Sequence, residues 1–269
     1  MLPWLQVKLG MKLAKSEAQI ELIRQSSLLV GRVHGEVSKM IKPGVRLMDI
    51  DKFAEQFIRD NGGKPAFKGY GDPSNPFPNA LCMSLNDVVV HGIPNEYELK
   101  EGDLLSVDCG VEMKGYFGDS AYTFGVGQVS QEAKQLMKIT LECLQLGIDN
   151  AVFGKRVGDI GYAIQQHAEK NGYGVVRQLT GHGVGKALHE KPDVPNFGKR
   201  SDGKRLEEGM VIAIEPMITQ FSKEIYESED GWGILTSDKG LAAHYEHTVV
   251  VRRGKAEILS TFDYIQTNA

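Results

Sequence analysis

The amino-acid sequence predicts an α+β fold made of two similar halves, and three observations carry that prediction. Residues 1–128 and residues 129–269 each contain amphipathic helical periodicity followed by a strand-rich stretch. Strands gathered apart from helices point to α+β organisation rather than to a sheet wound from βαβ units. No Pro-rich or Gly-Ser linker divides the chain, so one domain with a shared core is expected over residues 12–269, preceded by an N-terminal arm at residues 1–11.

Residues 16–41 read as the first helix. Ser16 and Gln19 have capping-box spacing, and Ile20, Ile23, Leu28, Leu29 and Val33 recur near helical spacing until Lys42-Pro43-Gly44 stops the run. A second helix is expected from Asp49 to Asp60, ended by Asn61-Gly62-Gly63. Residues 64–80, rich in proline and aromatics, read as a loop. Strands are expected near 81–90, 103–112 and 116–125, helices near 130–151 and 156–171, and short strands near 175–181, 210–216, 246–252 and 256–261.

Composition narrows the class. With 41% hydrophobic and 25% charged residues among 269, the chain has ordinary globular usage, which excludes a disordered or collagen-like polypeptide. A formal net charge of −4 gives no sign of general nucleic-acid affinity, which runs on basic surface. No apolar run approaches the roughly 18 residues of a membrane-spanning helix. Residues 1–10 lack the charged and apolar blocks of a signal peptide. Cys82, Cys109 and Cys143 are too sparse for a disulfide framework, which favours a reducing compartment.

Acidic residues interrupt the expected strands. Leu105, Val107, Cys109 and Val111 alternate on one face and leave Asp108 on the other. A two-residue turn at Lys114-Gly115 would pair Met113 with Tyr116, Gly110 with Asp119 and Asp108 with Ala121, making the two aspartates diagonal neighbours on one face. One further turn residue would put them on opposite faces. Glu215 ends an apolar run where Pro216 removes a ladder donor, and Glu246 opens another apolar run. Taken alone, the aspartate pair reads equally as a solvated strand face, and a lone glutamate of this kind is more often salt-bridged than a ligand. Four together favour a metal site, because facing carboxylates are costly without a compensating cation.

Gly181-His182-Gly183-Val184-Gly185 surrounds one histidine with glycines, and His189 follows seven residues later. The run is not a Walker loop, since Ala187 stands where Ser or Thr is required, and a dinucleotide fingerprint fails at Lys186. The spacing also misses the His-x-x-x-His zinc pattern, so at most one of the two histidines is expected among the carboxylates, with the other facing a substrate. His91 ends a strand just before a turn, a common place for an active-site residue, although a histidine satisfied by backbone reads equally well there.

These motifs together resemble type I methionine aminopeptidases. The resemblance is carried by Val89-Val90-His91-Gly92-Ile93-Pro94, by Asp108 eleven residues before Asp119 in Gly-Asp-Ser, by Gly-His182-Gly-Val-Gly with His189-Glu-Lys-Pro, by Ile-Glu215-Pro-Met and by Tyr-Glu246-His-Thr. It covers about residues 12–262. It implies the pita-bread fold, in which two pseudo-symmetric αβ halves around a central antiparallel sheet enclose a two-metal site. The implied ligands are Asp108, Asp119, His182, Glu215 and Glu246. Asp119 and Glu246 would bridge, Asp108 would complete one metal, and His182 with Glu215 the other. An oxygen-rich set with one imidazole is compatible with two divalent ions of Co, Mn, Fe or Zn.

The resemblance further implies removal of N-terminal methionine from nascent proteins and peptides by metal-dependent hydrolysis. Glu215 would shuttle a proton, His189 would hydrogen-bond the scissile carbonyl, and His91 the peptide nitrogen beyond. Phe67, Tyr70, Phe77, Cys82 and Trp232 match the family's first-residue pocket, and Leu188 stands where the family often has an aromatic. The implied setting is a cytoplasmic monomer acting on nascent polypeptide N-termini, with a basic patch as the means of any ribosome contact, and with no membrane or other nucleic acid involved.

Four other readings compete. Xaa-Pro dipeptidases share these ligands, but a further N-terminal domain precedes their catalytic one, and only residues 1–80 precede the first site strand here. Type II methionine aminopeptidases carry a helical insertion, for which Lys191–Ile214 leaves little room. A non-catalytic relative would be expected to lose ligands, and a structural calcium site would not need three histidines beside it.

Overall fold

A computed structural model describes residues 13–266, so the arm expected at residues 1–11 lies outside the described residues. The first half comprises α1 (Glu17–Ser38), α2 (Leu47–Asp60), β1 (Lys64–Pro65), β2 (Leu81–Leu85), β3 (Val88–Val90), β4 (Leu104–Met113) and β5 (Tyr116–Gly125). The Ser16 hydroxyl accepts from the Gln19 N–H and the Gln19 side chain accepts from the Ser16 N–H, which is the capping box expected from their spacing. Strands β1, β4 and β2 lie side by side with β5 paired to β4, all antiparallel. Leu105, Val107, Cys109 and Val111 bury against Val30, Val33, Ile50 and Ile58 of the helices. Each such side chain contributes about 1.5–3 kcal/mol on burial, enough to fix which face of the hairpin turns inward.

The second half repeats the plan. It comprises α3 (Gln131–Asn150), α4 (Val157–Lys170), β6 (Gly174–Val175), β7 (Thr180–Gly183), β8 (Glu190–Pro195), β9 (Val211–Ile214), β10 (Met217–Thr219), β11 (Ile225–Glu227), β12 (Ile234–Thr236), β13 (Ala242–His244), β14 (His247–Val250) and β15 (Glu257–Ile258). An antiparallel sheet in the order β15-β14-β9-β7-β8 packs Ile212, Ile214 and Val249 against Leu136, Leu144, Ile160 and Ile164 of α3 and α4. Two three-stranded sheets, β13-β10-β6 and β11-β12-β3, complete the strands. Two αβ halves with antiparallel strands between their helix pairs make up the pita-bread fold.

The halves are stitched together at β5 and β14. Thr248 Oγ1 donates to Asp119 O at 2.7 Å and accepts from the Asp119 N–H at 3.2 Å. Ser120 Oγ donates to Glu246 O at 2.7 Å, and the Glu246 N–H donates to Ala121 O at 2.9 Å. Thr123 Oγ1 donates to His244 O and accepts from its N–H. Short polar side chains thus satisfy backbone groups that no ladder satisfies, and they set Asp119 beside Glu246.

Several expected elements differ. The strand expected at 81–90 breaks at Asn86, which adopts φ 53° and bonds Asp103 and the Leu104 N–H through its side chain. The strand expected at 175–181 is two pieces, and the second runs on to Gly183, so the glycine-flanked His182 lies inside β7. The strand expected at 256–261 shrinks to Glu257–Ile258. Strands β1, β8, β10, β11, β12 and β13 are not among those expected. Most are only two or three residues long, too short to show a period, while β8 carries two prolines and is tolerated because it lies at a sheet edge.

Helix α1 crosses β5 at Gly118, where an added Cβ would stand 2.4 Å from Ser27 N and 2.6 Å from its Cα. Only glycine permits that approach of helix to strand. Gly118→Ala is therefore expected to lower stability by about 1–3 kcal/mol through overpacking, read as a reduced denaturant midpoint. An unchanged midpoint would show that α1 does not rest on this strand.

Candidate metal centre and substrate pocket

The Lys114-Gly115 turn has φ values of 54° and 77°, the positive angles that a two-residue hairpin loop requires. It fixes the register expected from sequence, with Asp108 opposite Ala121 and Asp119 opposite Gly110. Glu215 lies between β9 and β10, beside Pro216, and Glu246 lies just before β14. Asp108, Asp119 and Glu246 each offer an oxygen within 4.8 Å of the others, and His182, Glu215 and Glu246 form a second group as tight. His182 Nε2 is 3.5 Å from Glu215 Oε1 and 3.8 Å from Asp119 Oδ2. All five residues assigned to metal by resemblance therefore come together.

The donor chemistry fits divalent cations. Asp108 Oδ1, Asp119 Oδ1 and Glu246 Oε1 are buried without a hydrogen-bond partner, a costly state for oxygen lone pairs. His182 Nδ1 meets the Gly183 carbonyl at 3.0 Å. A carbonyl only accepts, so Nδ1 carries the proton and Nε2 presents its lone pair among the carboxylates.

The remaining predicted residues line the same cavity: His91, His189, Phe67, Tyr70, Phe77, Cys82 and Trp232. Phe67, Phe77, Cys82 and Trp232 form one apolar cluster with Leu188, and Phe77 meets Trp232 edge-on at 5.1 Å. The loop at 64–80 is held by backbone bonds from Gly69 N to Phe77 O and from Phe77 N to Tyr70 O, each 2.8 Å. Asp230 accepts from the Trp232 and Gly233 N–H groups and so sets the indole. Tyr70 Oη lies 2.6 Å from His189 Nδ1. His189 also meets the His182 ring edge-on, with centroids 4.2 Å apart.

Leu188, which stands where the family often has an aromatic, supplies a wall of the pocket. One further neighbour is not singled out by the sequence. His244 is buried with Nε2 3.7 Å from Glu215 Oε2, and its position two residues before Glu246 along extended chain could have pointed to it.

Burial pushes Asp108 up to about 7. Burial, and then neighbouring negative charge, raises Asp119, Glu215 and Glu246 well above the ordinary carboxylate range. Burial also lowers the imidazoles, His91 and His182 to about 4 and His189 well below its usual value, so they are neutral near pH 7. The Cys82 thiol is raised by burial and by Asp108 beyond, and it stays a protonated wall group.

These shifts set a pH signature for the metal-free protein. Raised carboxyls stabilise the fold while protonated, and that contribution is lost as pH rises through their folded values. The lowered imidazoles act oppositely: their contribution is complete above their ordinary 6.5 and is lost as pH falls toward about 4. Above pH 6.5 the carboxyl contribution therefore dominates. Melting temperature of chelator-treated protein should fall from there toward about pH 8, and saturating divalent metal should remove most of the fall. Equal slopes with and without metal would contradict the cluster's role.

Residues 21–253 match metallopeptidase family M24. The chain is 44% identical to the methionine aminopeptidase of Clostridium perfringens over 251 residues, 93% of this chain and 99% of that one. It superposes on the crystal structure of methionine aminopeptidase from Rickettsia prowazekii with a TM-score of 0.90 at 36% identity, covering 93% of this chain and all of that one. A prolidase from Pyrococcus furiosus shares the fold at a TM-score of 0.76 and 23% identity, but only 65% of its chain is covered. The chain belongs to metallopeptidase family M24 and, within it, to the methionine aminopeptidases.

Proposed function

We propose that this protein removes N-terminal methionine by hydrolysis at a centre of two divalent ions, drawn from Co, Mn, Fe or Zn, within one catalytic domain spanning residues 12–269. The observation that carries the reading is five donors, Asp108, Asp119, His182, Glu215 and Glu246, gathered beside an apolar pocket. Bound ions would supply Lewis acidity, lowering the pKa of a shared water and polarising the scissile carbonyl. Asp119 and Glu246 would bridge, with Asp108 on one side and His182 with Glu215 on the other.

The chain's own groups account for the remaining chemistry. Burial pushes the Tyr70 phenol up to about 12, so it keeps its proton and can donate to His189 Nδ1. That leaves the hydrogen on Nε2, a donor for the carbonyl oxygen as charge builds there. Neutral His91 would bond the peptide nitrogen beyond. Glu215, held between His182 and His244, would accept the proton of the water and pass it to the leaving amine. Phe67, Phe77, Cys82, Leu188 and Trp232 enclose an apolar space suited to an unbranched thioether, which packs well against aromatic rings.

Nascent polypeptide N-termini are the substrate this chemistry suits, met by a monomer in the cytoplasm. No helix among the described residues is long and apolar enough to cross a membrane.

The metal-loaded protein should release methionine from Met-Ala peptides and leave Ala-Pro intact, whereas cleavage of Ala-Pro would favour a dipeptidase. Asp119→Ala should abolish turnover with the fold retained by circular dichroism. Tyr70→Phe, which frees the His189 tautomer, should lower kcat by about ten- to a hundredfold with KM little changed. An unaltered kcat would contradict the tautomer assignment.

A further inference from the structure

Outside the cavity, a buried ion pair lies directly behind His189. Lys15 Nζ is 2.5 Å from Glu190 Oε2, and the two side chains are only 7% and 4% exposed. Glu190 follows His189 in the chain. Its other oxygen, Oε1, accepts from the Lys186 N–H at 2.7 Å and the Ala187 N–H at 3.2 Å. The loop wraps this carboxylate so closely that a Cβ on Gly185 would stand 2.4 Å from Oε1. The far side of the loop is tied to the metal hairpin, where the Phe117 N–H donates to Gly185 O at 2.9 Å.

Lys15 is itself fixed. Its N–H donates to Gly209 O at 2.7 Å, and Ala14 bridges Met210, at the turn that leads into β9 and Glu215. The ammonium thus joins two segments that carry functional groups without lining the cavity. A carboxylate so enclosed needs a cation, and no other basic side chain is bonded to Glu190 among the described residues. Without it the loop amides would hold a buried, uncompensated charge, and the arrangement of residues 185–190 would shift.

We propose that Lys15 is a positioning residue for catalysis: bonded to Glu190, it holds the loop Gly185–Glu190 in the shape that presents His189 to the scissile carbonyl. The proposal rests on His189 being the carbonyl donor. The test is a double-mutant cycle of Lys15→Met and His189→Ala, with kcat and KM measured on a Met-Ala peptide and metal binding measured by calorimetry. Lys15→Met should lower kcat by about ten- to a hundredfold, as a displaced catalytic group does, with KM and metal affinity near those of the parent. Added to His189→Ala, the same change should cost nothing further, because the group it positions is gone. Lys15→Arg should retain most of the rate. If Lys15→Met does not fold, Lys15→Ala, which removes the bond but leaves room for water beside Glu190, carries the same cycle. Equal losses in both backgrounds, or no loss in the parent, would overturn the proposal. An unimpaired His189→Ala would instead overturn the reading of His189 and the proposal with it.

Discussion

Buried Asp119 and Glu246 and half-buried Asp108 and Glu215 stand near enough to one another to oppose each other's ionisation. A folded chain sustains such a cluster only with protons or cations among the oxygens. Most of the architecture can be understood as the means of building this unfavourable arrangement. The hairpin of β4 and β5 brings two of the acids, and the second half brings the other two with His182. Since donors come from both halves, cations at the centre would tie the halves together as well as neutralise them.

The seam beside the cluster shows how the cost is contained. Ser120, Thr123 and Thr248 bond backbone groups across the junction, so the aspartate and glutamate that would bridge are placed by main chain rather than by flexible side chains. Two helix pairs press the apolar faces of the strands from outside and leave the polar faces toward the centre. Neutral imidazoles and a protonated Cys82 then border the acids without adding charge, and the aromatic wall keeps one side of the cavity apolar.

How much of this could be read in the sequence depended on how local the cause was. The aspartate pair was legible because a two-residue turn at Lys114-Gly115 determines every later register position. The helices were legible from caps and apolar spacing, as at Ser16 and Gln19. Strands as short as β12 and β13 were not, because three residues hold no period and their pairing partners are distant in sequence. His182 falls one residue beyond the strand expected at 175–181, because its flanking glycines mark close packing between strands rather than a turn. The pocket aromatics were legible only through the family resemblance, since spacing alone made them ordinary core. Lys15 acts through tertiary contacts that no local pattern reveals, and His244 had only its spacing from Glu246 as a signal.

The central claim is that five side chains from two halves form one site for two cations. Anomalous diffraction from crystals soaked in Mn or Co tests it most directly. The account predicts two peaks within the cluster, with Asp119 and Glu246 touching both, Asp108 touching one, and His182 with Glu215 touching the other. A single ion, or ions bound elsewhere while the crystals still cleave a methionyl peptide, would contradict it.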